Sequence, residues 1–284
     1  MHRKLLLVIT VFTISFSSFS QSGKLEKGKE SLKSTTSTSS SSSTSSSNSS
    51  KKSKRASKRN DNGSFFGSFF GEVFVKLFAY TAYGVAIEFP LERETRMHSA
   101  EIAHYPYEKA LQGNFIYTDS INYNVTRFDI TNNFVIQNSN LYGNNFDVDF
   151  RFLKRFSVAA SYLYLTEKTA IKRDDFSLYS AFLKYHRIRT QKFDAWFGLG
   201  IMHVGNDVDT SGFGLGVGAE WFIKKPVSLK FSHKRASIND REVNNTKLLF
   251  KYHLKNYHIS SGYEQFKIGV SKIDAFSIGV GASF

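Results

Sequence analysis

His258, Ser260 and Glu264 share one side of an extended segment, because successive side chains on a strand point to opposite faces. A histidine that takes a serine proton beside a carboxylate is the arrangement of nucleophilic hydrolysis. A second constellation is His203 with Asp207 and Asp209 in HVGNDVD, with Asp174 and Asp175 as the opposing acids; imidazole and carboxylate together can activate water. A third is His233 with Ser237 in KFSHKRASIN, four residues apart and too distant along a strand for a direct hydrogen bond. Against these stands the plainer expectation of a polar network and solvated loops, in which charged side chains pair and stiffen their surroundings. There is no phosphate-binding loop and no zinc-protease motif. The chain has no Cys, which removes disulfides, thiolate metal sites and thiol nucleophiles. A non-enzymatic protein with no cofactor and no metal is therefore expected.

The elements that would position these residues have a period of two, which runs from Arg127 to Phe284. RFDITNNFVIQN puts Phe128, Ile130, Phe134 and Ile136 on one face and Arg127, Asp129, Thr131 and Asn133 on the other. NFDVDFRF repeats it with Phe146, Val148, Phe150 and Phe152 against Asp147, Asp149 and Arg151. The same alternation recurs at 157–165, 176–186, 193–203, 212–222, 227–234, 246–254, 257–266 and 273–284, giving ten predicted strands. Twelve strands remain open, and the alternation at 82–89 could add an extra strand. Connections such as LKRF, HRIRTQKF, IKKP and LKN read as short turns. NSNLYGNN, TEKTAIKRDD, HVGNDVDTSGF, KRASINDREVN and FKIGVSKID read as longer loops at the other end. That wiring predicts an up-and-down antiparallel barrel.

The polar face gathers Arg127, Arg151, Lys184, Lys230, Lys247 and Lys251 with Asp129, Asp147, Asp149, Asp194, Glu220 and Glu264. The opposite face carries large aromatics. A soluble core cannot bury both, whereas a bilayer inverts the pattern, with apolar residues outside and charges inside a closed sheet. Tyr162, Tyr164, Tyr179, Tyr185, Trp221, Tyr252, Tyr257 and Tyr263 are candidates for interfacial girdles. Paired, the six positive and six negative groups would fill most of a narrow ten-strand lumen, which points to a plugged scaffold or a tight pore. Gly212, Gly214, Gly216 and Gly218 face inward and leave room for a large neighbour such as Trp196. A soluble periplasmic binding barrel is the alternative.

Residues 1–21 read as a secretory signal peptide: His2, Arg3 and Lys4, an apolar run to about Phe16, then small residues. Residues 22–62 read as a disordered Ser/Lys-rich linker in the periplasm. Residues 23–60 hold ten Lys and Arg against two Glu, while residues 61–284 carry only +4 of the chain's net +14. The basic excess thus belongs to a tail that would meet anionic lipid headgroups or cell-wall polymer, not nucleic acid. Within 63–112, the Phe pairs of SFFGSFFGEVFVKLF recur every fourth residue and predict an amphipathic helix to about Tyr80 with a connecting segment after it. Residues 113–284 form the predicted barrel.

The signal peptide, the ten alternating strands and the terminal strand IDAFSIGVGASF together resemble the bacterial outer-membrane β-barrel family. Gly279, Ala282 and Phe284 are similar to that family's assembly signal, though Ile278 stands where a polar residue is usual. The resemblance implies an outer-membrane location in a Gram-negative cell, lipid contact and insertion by the barrel-assembly machinery. It implies no activity, because barrels host many functions. HVGNDVD is faintly similar to the omptin proteases, and KFSHKRASIN to lipid A deacylases, which place His and Ser two apart where this chain has His233 and Arg235. The expected function is a non-enzymatic scaffold, adhesive surface or narrow solute path, with a barrel-embedded hydrolase as the alternative.

Overall fold

The computed structural model describes residues 23–33, 100–108, 112–117, 126–170 and 172–284. Helix α1 (Lys24–Leu32) is followed by the short strands β1 (Ala100–Ile102) and β2 (Phe115–Tyr117), which pair with each other. Ten further strands are described: β3 (Arg127–Ile136), β4 (Leu141–Arg151), β5 (Phe156–Lys168), β6 (Arg173–Arg189), β7 (Phe193–Val204), β8 (Thr210–Lys224), β9 (Val227–Ile238), β10 (Arg241–Leu254), β11 (Tyr257–Ile268) and β12 (Ser271–Ser283). Each pairs antiparallel with its sequence neighbours, and β12 closes on β3 through registers from Phe276↔Ile136 to Ser283↔Asp129. Reciprocal bonds of 2.9 Å between Phe128 and Phe284 complete the seam. The terminal strand is thus paired on both sides and no barrel edge is left open.

Both ends of the barrel chain, Arg127 and Phe284, lie at one end of the cylinder, here the proximal end. The links at 152–155, 190–192, 225–226 and 255–256 share it, and those at 137–140, 169–172, 205–209, 239–240 and 269–270 form the distal end. The distal links are not the long loops expected. Strand pairing runs on through the polar segments and ends in tight turns, such as Asn239–Asp240, where φ of 48° and 58° fits a two-residue hairpin that only a few residue types accept. What reads as loop in the sequence is strand whose outward face is polar.

That overhang divides the barrel along its axis. In the proximal and central part the outward side chains are apolar: Phe128, Phe150, Leu183, Leu199, Leu248, Phe250, Ile259, Ile278 and Val280 are all exposed. About four outward residues per strand make a band of roughly 25 Å, the height of a hydrocarbon layer. Tyr185, Trp221, Tyr252 and Tyr257 mark its proximal side. Tyr162, Tyr164, Tyr179 and Tyr263 mark its distal side. Beyond them the outer face turns polar, with Arg235 bridging Glu242 at 2.8 Å and Lys267 bridging the same carboxylate. The interior inverts in step. Behind the apolar band it is ionic; behind the polar overhang it is a hydrophobic core of Leu163, Leu165, Phe176, Leu178, Val204, Ile238, Val243, Phe266 and Ile268. The twelve predicted lumen charges therefore occupy one layer of the interior and not the distal part. A segment that leaves the bilayer returns to ordinary apolar-in packing.

Two further boundaries shift. Residues 22–62 were predicted to be disordered throughout, but Lys24–Leu32 is helical and docked inside the distal mouth. Leu25 and Leu32 are both 0% exposed, and their packing supplies what a nine-residue helix lacks in isolation. Likewise the barrel begins at Arg127 rather than at 113, since Phe115–Tyr117 pairs with Ala100–Ile102 and not with the barrel. The predicted helix to Tyr80, the signal peptide and the basic stretch after Lys33 lie outside the described residues.

The β8 glycines face inward against bulky neighbours. An added Cβ at Gly218 would sit 2.6 Å from the Trp196 ring, and one at Gly214 would sit 2.8 Å from the Phe182 ring. We expect Gly218→Ala to cost about 1–3 kcal/mol through overpacking; the shift in the temperature at which the folded gel band disappears measures it.

Candidate functional site

The interior layer behind the apolar band concentrates chemistry-bearing side chains, and all twelve predicted charges face into it. Strand alternation sets them there, and the register sets who meets whom. Lys184 donates to Asp149 at 2.5 Å, and Lys247 bridges Asp147 while standing 4.0 Å from Glu264. Lys251 faces Glu220 at 3.4 Å, and Arg127 donates from Nε to Asp129 at 2.9 Å. Arg151 meets Asp194 at 2.7 Å. Lys230 lies opposite Glu220 in the β8–β9 ladder and lines both interior cavities. Each cavity is about 40 Å³, room for a few waters and for no sugar, peptide or lipid.

The His258, Ser260 and Glu264 trio all points inward, but the structure does not bring the three together. His258 Nε2 is 3.1 Å from Thr131 Oγ1, Ser260 donates to Asn133 at 2.6 Å, and Glu264 accepts from Asn145 at 2.7 Å. His203 faces outward against Ser211 and is 3.5 Å from Asp209, whereas Asp207 is bound to Lys29 of α1. Asp174 also meets Lys29, and Asp175 meets Thr166 on the other face. His233 bonds Thr246 across the strand pair at 2.8 Å, away from Ser237. No group of three or more His, Asp or Glu among the described residues is arranged to hold a metal ion.

One arrangement escaped the sequence because its members sit on three strands. Ser157 Oγ lies 3.1 Å from His186 Nε2, and His186 Nδ1 lies 2.7 Å from Asp194 Oδ1. These are the residue types and contacts of a Ser–His–Asp triad. Its surroundings do not suit that chemistry. Ser157 is 0% exposed and lines neither cavity, so no substrate atom reaches its oxygen. Arg151 lies against the imidazole and takes the second oxygen of Asp194. A fixed cation beside the ring opposes the imidazolium that general-base catalysis must form. The cluster acts as a buried tie between β4, β5, β6 and β7. Another inward histidine, His253, accepts from or donates to Ser228 at 2.8 Å in the same manner.

Both mouths are closed by the chain's own residues. At the proximal end Tyr107 donates to the Val227 carbonyl at 2.5 Å, and burial pushes its phenol pKa up to about 12, so it remains a donor. Asn114 accepts from Arg127 at 2.8 Å, and Phe115 is fully buried with the guanidinium groups of Arg151 and Arg189 each 5.9 Å from its ring centre. At the distal end Lys29 meets Asp174 at 2.6 Å and Asp207 at 2.9 Å. Burial opposes the Lys29 charge, but the two carboxylates outweigh it and raise its pKa, while the Lys29 hydrogen bond lowers that of Asp207. The Asp207 contribution is present above its ordinary 3.8 and is lost as pH falls through the depressed value; the Lys29 contribution is present below 10.5 and is lost as pH rises through the raised value. The pair therefore holds across the neutral range.

The closed antiparallel cylinder, its apolar outer band and its ionic interior define the class: this is an up-and-down β-barrel of the outer-membrane type. Among solved structures it is similar to Ail of Yersinia pestis, an outer-membrane protein, at 14% identity and a TM-score of 0.32 over 56% of this chain and 99% of that one. An outer-membrane channel of Pseudomonas putida F1 is similar at 7% identity and a TM-score of 0.38, over 60% and 99% of the two chains. The N-terminal β-barrel domain of Pseudomonas aeruginosa OprF is similar at 14% and 0.30, over 56% and 97%. No family model and no curated protein matches the sequence. The class therefore rests on this molecule's own polarity and closure.

Proposed function

We propose that the protein is a non-enzymatic outer-membrane barrel serving as a closed scaffold, with its proximal end in the periplasm and its protruding distal cuff outward. The observation that carries this reading is an interior occupied from end to end: Tyr107, Asn114 and Phe115, the ion-pair layer, the apolar core and helix α1 follow one another along the axis. A narrow solute path would need a continuous wet route, and the apolar core and helix α1 that follow the ionic layer along the axis do not supply one. Hydrolysis would need an accessible nucleophile, and Ser157 and Ser260 are both 0% exposed. Gly279, Ala282 and Phe284 would serve as the signal read by the assembly machinery, with lipid as the barrel's immediate partner. With α1 seated in the distal mouth, the basic stretch beyond it would engage anionic lipid headgroups on that outer side, in place of the periplasmic position read from the sequence. The test is conductance in planar bilayers. The purified chain is expected to insert and remain electrically silent, and stable unitary current steps would refute the closed-scaffold reading.

A further inference from the structure

Helix α1 occupies a site that is built for a cation. Glu167 on β5 and Asp174 on β6 are directly opposite one another in the ladder, both facing inward and only 3% and 9% exposed. Two like charges in that position repel, and burial makes the repulsion worse. The barrel tolerates them because α1 neutralises both. Glu167 receives the backbone N–H groups of Lys24 at 3.2 Å and Leu25 at 2.8 Å, which is where a helix dipole favours an anion. Asp174 and Asp207 receive the Lys29 ammonium. The second oxygen of Asp174 is buried with no partner, so the site holds more accepting capacity than α1 uses.

The rest of the site is shaped for one face of a short helix. Leu25 and Leu32 enter the apolar core with Ile238, Val243 and Ile268, and Gly28 lies so close to Ile268 that an added Cβ would stand 3.0 Å from its side chain. Asn239 donates to the Leu32 carbonyl at 2.7 Å, and Ser31 Oγ accepts from the Val270 amide at 3.2 Å. Thus both helix ends and the apolar seam between them are read by the barrel. The occupant, by contrast, has nine residues, too few to hold helical form alone.

We propose that the distal mouth is a binding site for a short, lysine-bearing amphipathic peptide helix, and that residues 24–32 hold it in a self-occupied state from which an added peptide of the same chemistry can displace them. Cis occupancy is favoured by tethering and not by unusual affinity, since a linked ligand competes at an effective concentration on the order of millimolar.

The experiment uses the full chain in detergent and a fluorescent peptide of residues 23–33, read by anisotropy. In the full-length variant Leu25→Asp/Leu32→Asp the tethered copy is disabled, and the peptide is expected to bind at least tenfold more tightly than to the unaltered chain. Adding Asp174→Asn/Asp207→Asn is expected to weaken that binding by roughly tenfold or more. The boiling-dependent gel shift verifies that each variant has folded. A second arm avoids core substitutions. The chain has no cysteine, and a Cβ built on Gly28 stands 3.2 Å from that of Ile268, near the separation a disulfide requires. Gly28→Cys/Ile268→Cys should therefore crosslink within one chain, block peptide binding when oxidised and regain it on reduction. The proposal is overturned if the crosslink does not form, if the peptide fails to bind the disabled chain, or if binding ignores Asp174 and Asp207.

Discussion

Asp194→Ala is expected to lower the unfolding free energy by about 3–5 kcal/mol, the largest single effect in the ionic layer. Asp194 is 4% exposed and accepts from both Arg151 and His186 at 2.7 Å. Removing it leaves a buried guanidinium against an imidazole, with no anion to offset either and Ser157 losing the orientation of its partner ring. The cost arises mainly from the stranded cation, so taking away both charges should be milder. Arg151→Leu/Asp194→Leu is expected to recover a large part of the loss, since well-packed apolar replacements of buried pairs are often near neutral. Equilibrium unfolding by urea in detergent micelles reads all three variants. If Asp194→Ala costs less than about 1 kcal/mol, the network is not what ties β4 to β7. A catalytic role would give a different signature, in which activity disappears while stability holds.

Phe250→Arg is expected to cost about 2–4 kcal/mol when the barrel unfolds from a bilayer. Phe250 is 50% exposed, on the outward face of β10 between Leu248 and Tyr252. On a water-facing surface, exchanging an exposed side chain for arginine stays within about ±0.5 kcal/mol. The same substitution thus reads the solvent: hydrocarbon penalises the charge, and water does not. Thr246→Arg, two pleat repeats further out on the same strand face, is expected to be close to neutral because it stands in the polar cuff. A steep penalty at residue 250 and none at residue 246 would locate the membrane boundary between them.

The barrel strands were legible because a strand facing lipid on one side and ions on the other has the strongest alternation a sequence can carry. RFDITNNFVI and TKLLFKYHL need no tertiary information to be oriented. Charges such as Lys184 and Glu220 could be assigned to the interior for the same reason. The distal overhang was not legible as strand: with Ala236, Ile238 and Val243 inside and Arg235, Ser237, Glu242 and Asn244 outside, KRASINDREVN looks like a loop when its neighbours have the reverse polarity. Helix α1 was hidden in a lysine-rich tail because Leu25 and Leu32 are too sparse to mark a helix until the barrel supplies the other half of its core. The Ser157–His186–Asp194 contact could not be foreseen, because register across three strands decides it. What the spacing did offer, His258 next to Ser260, failed for a local reason: each side chain found a nearer partner across the β3 seam, Thr131 and Asn133.

The central claim is that this chain is a closed barrel whose polarity inverts where it leaves the bilayer. Gel mobility of the detergent-extracted membrane fraction, with and without boiling, tests it most directly. The account predicts that the protein sediments with membranes and that the unboiled band runs at a different position from the boiled one, because a closed hydrogen-bonded cylinder resists the detergent until heated. Recovery in the soluble fraction, with identical bands before and after boiling, would contradict it.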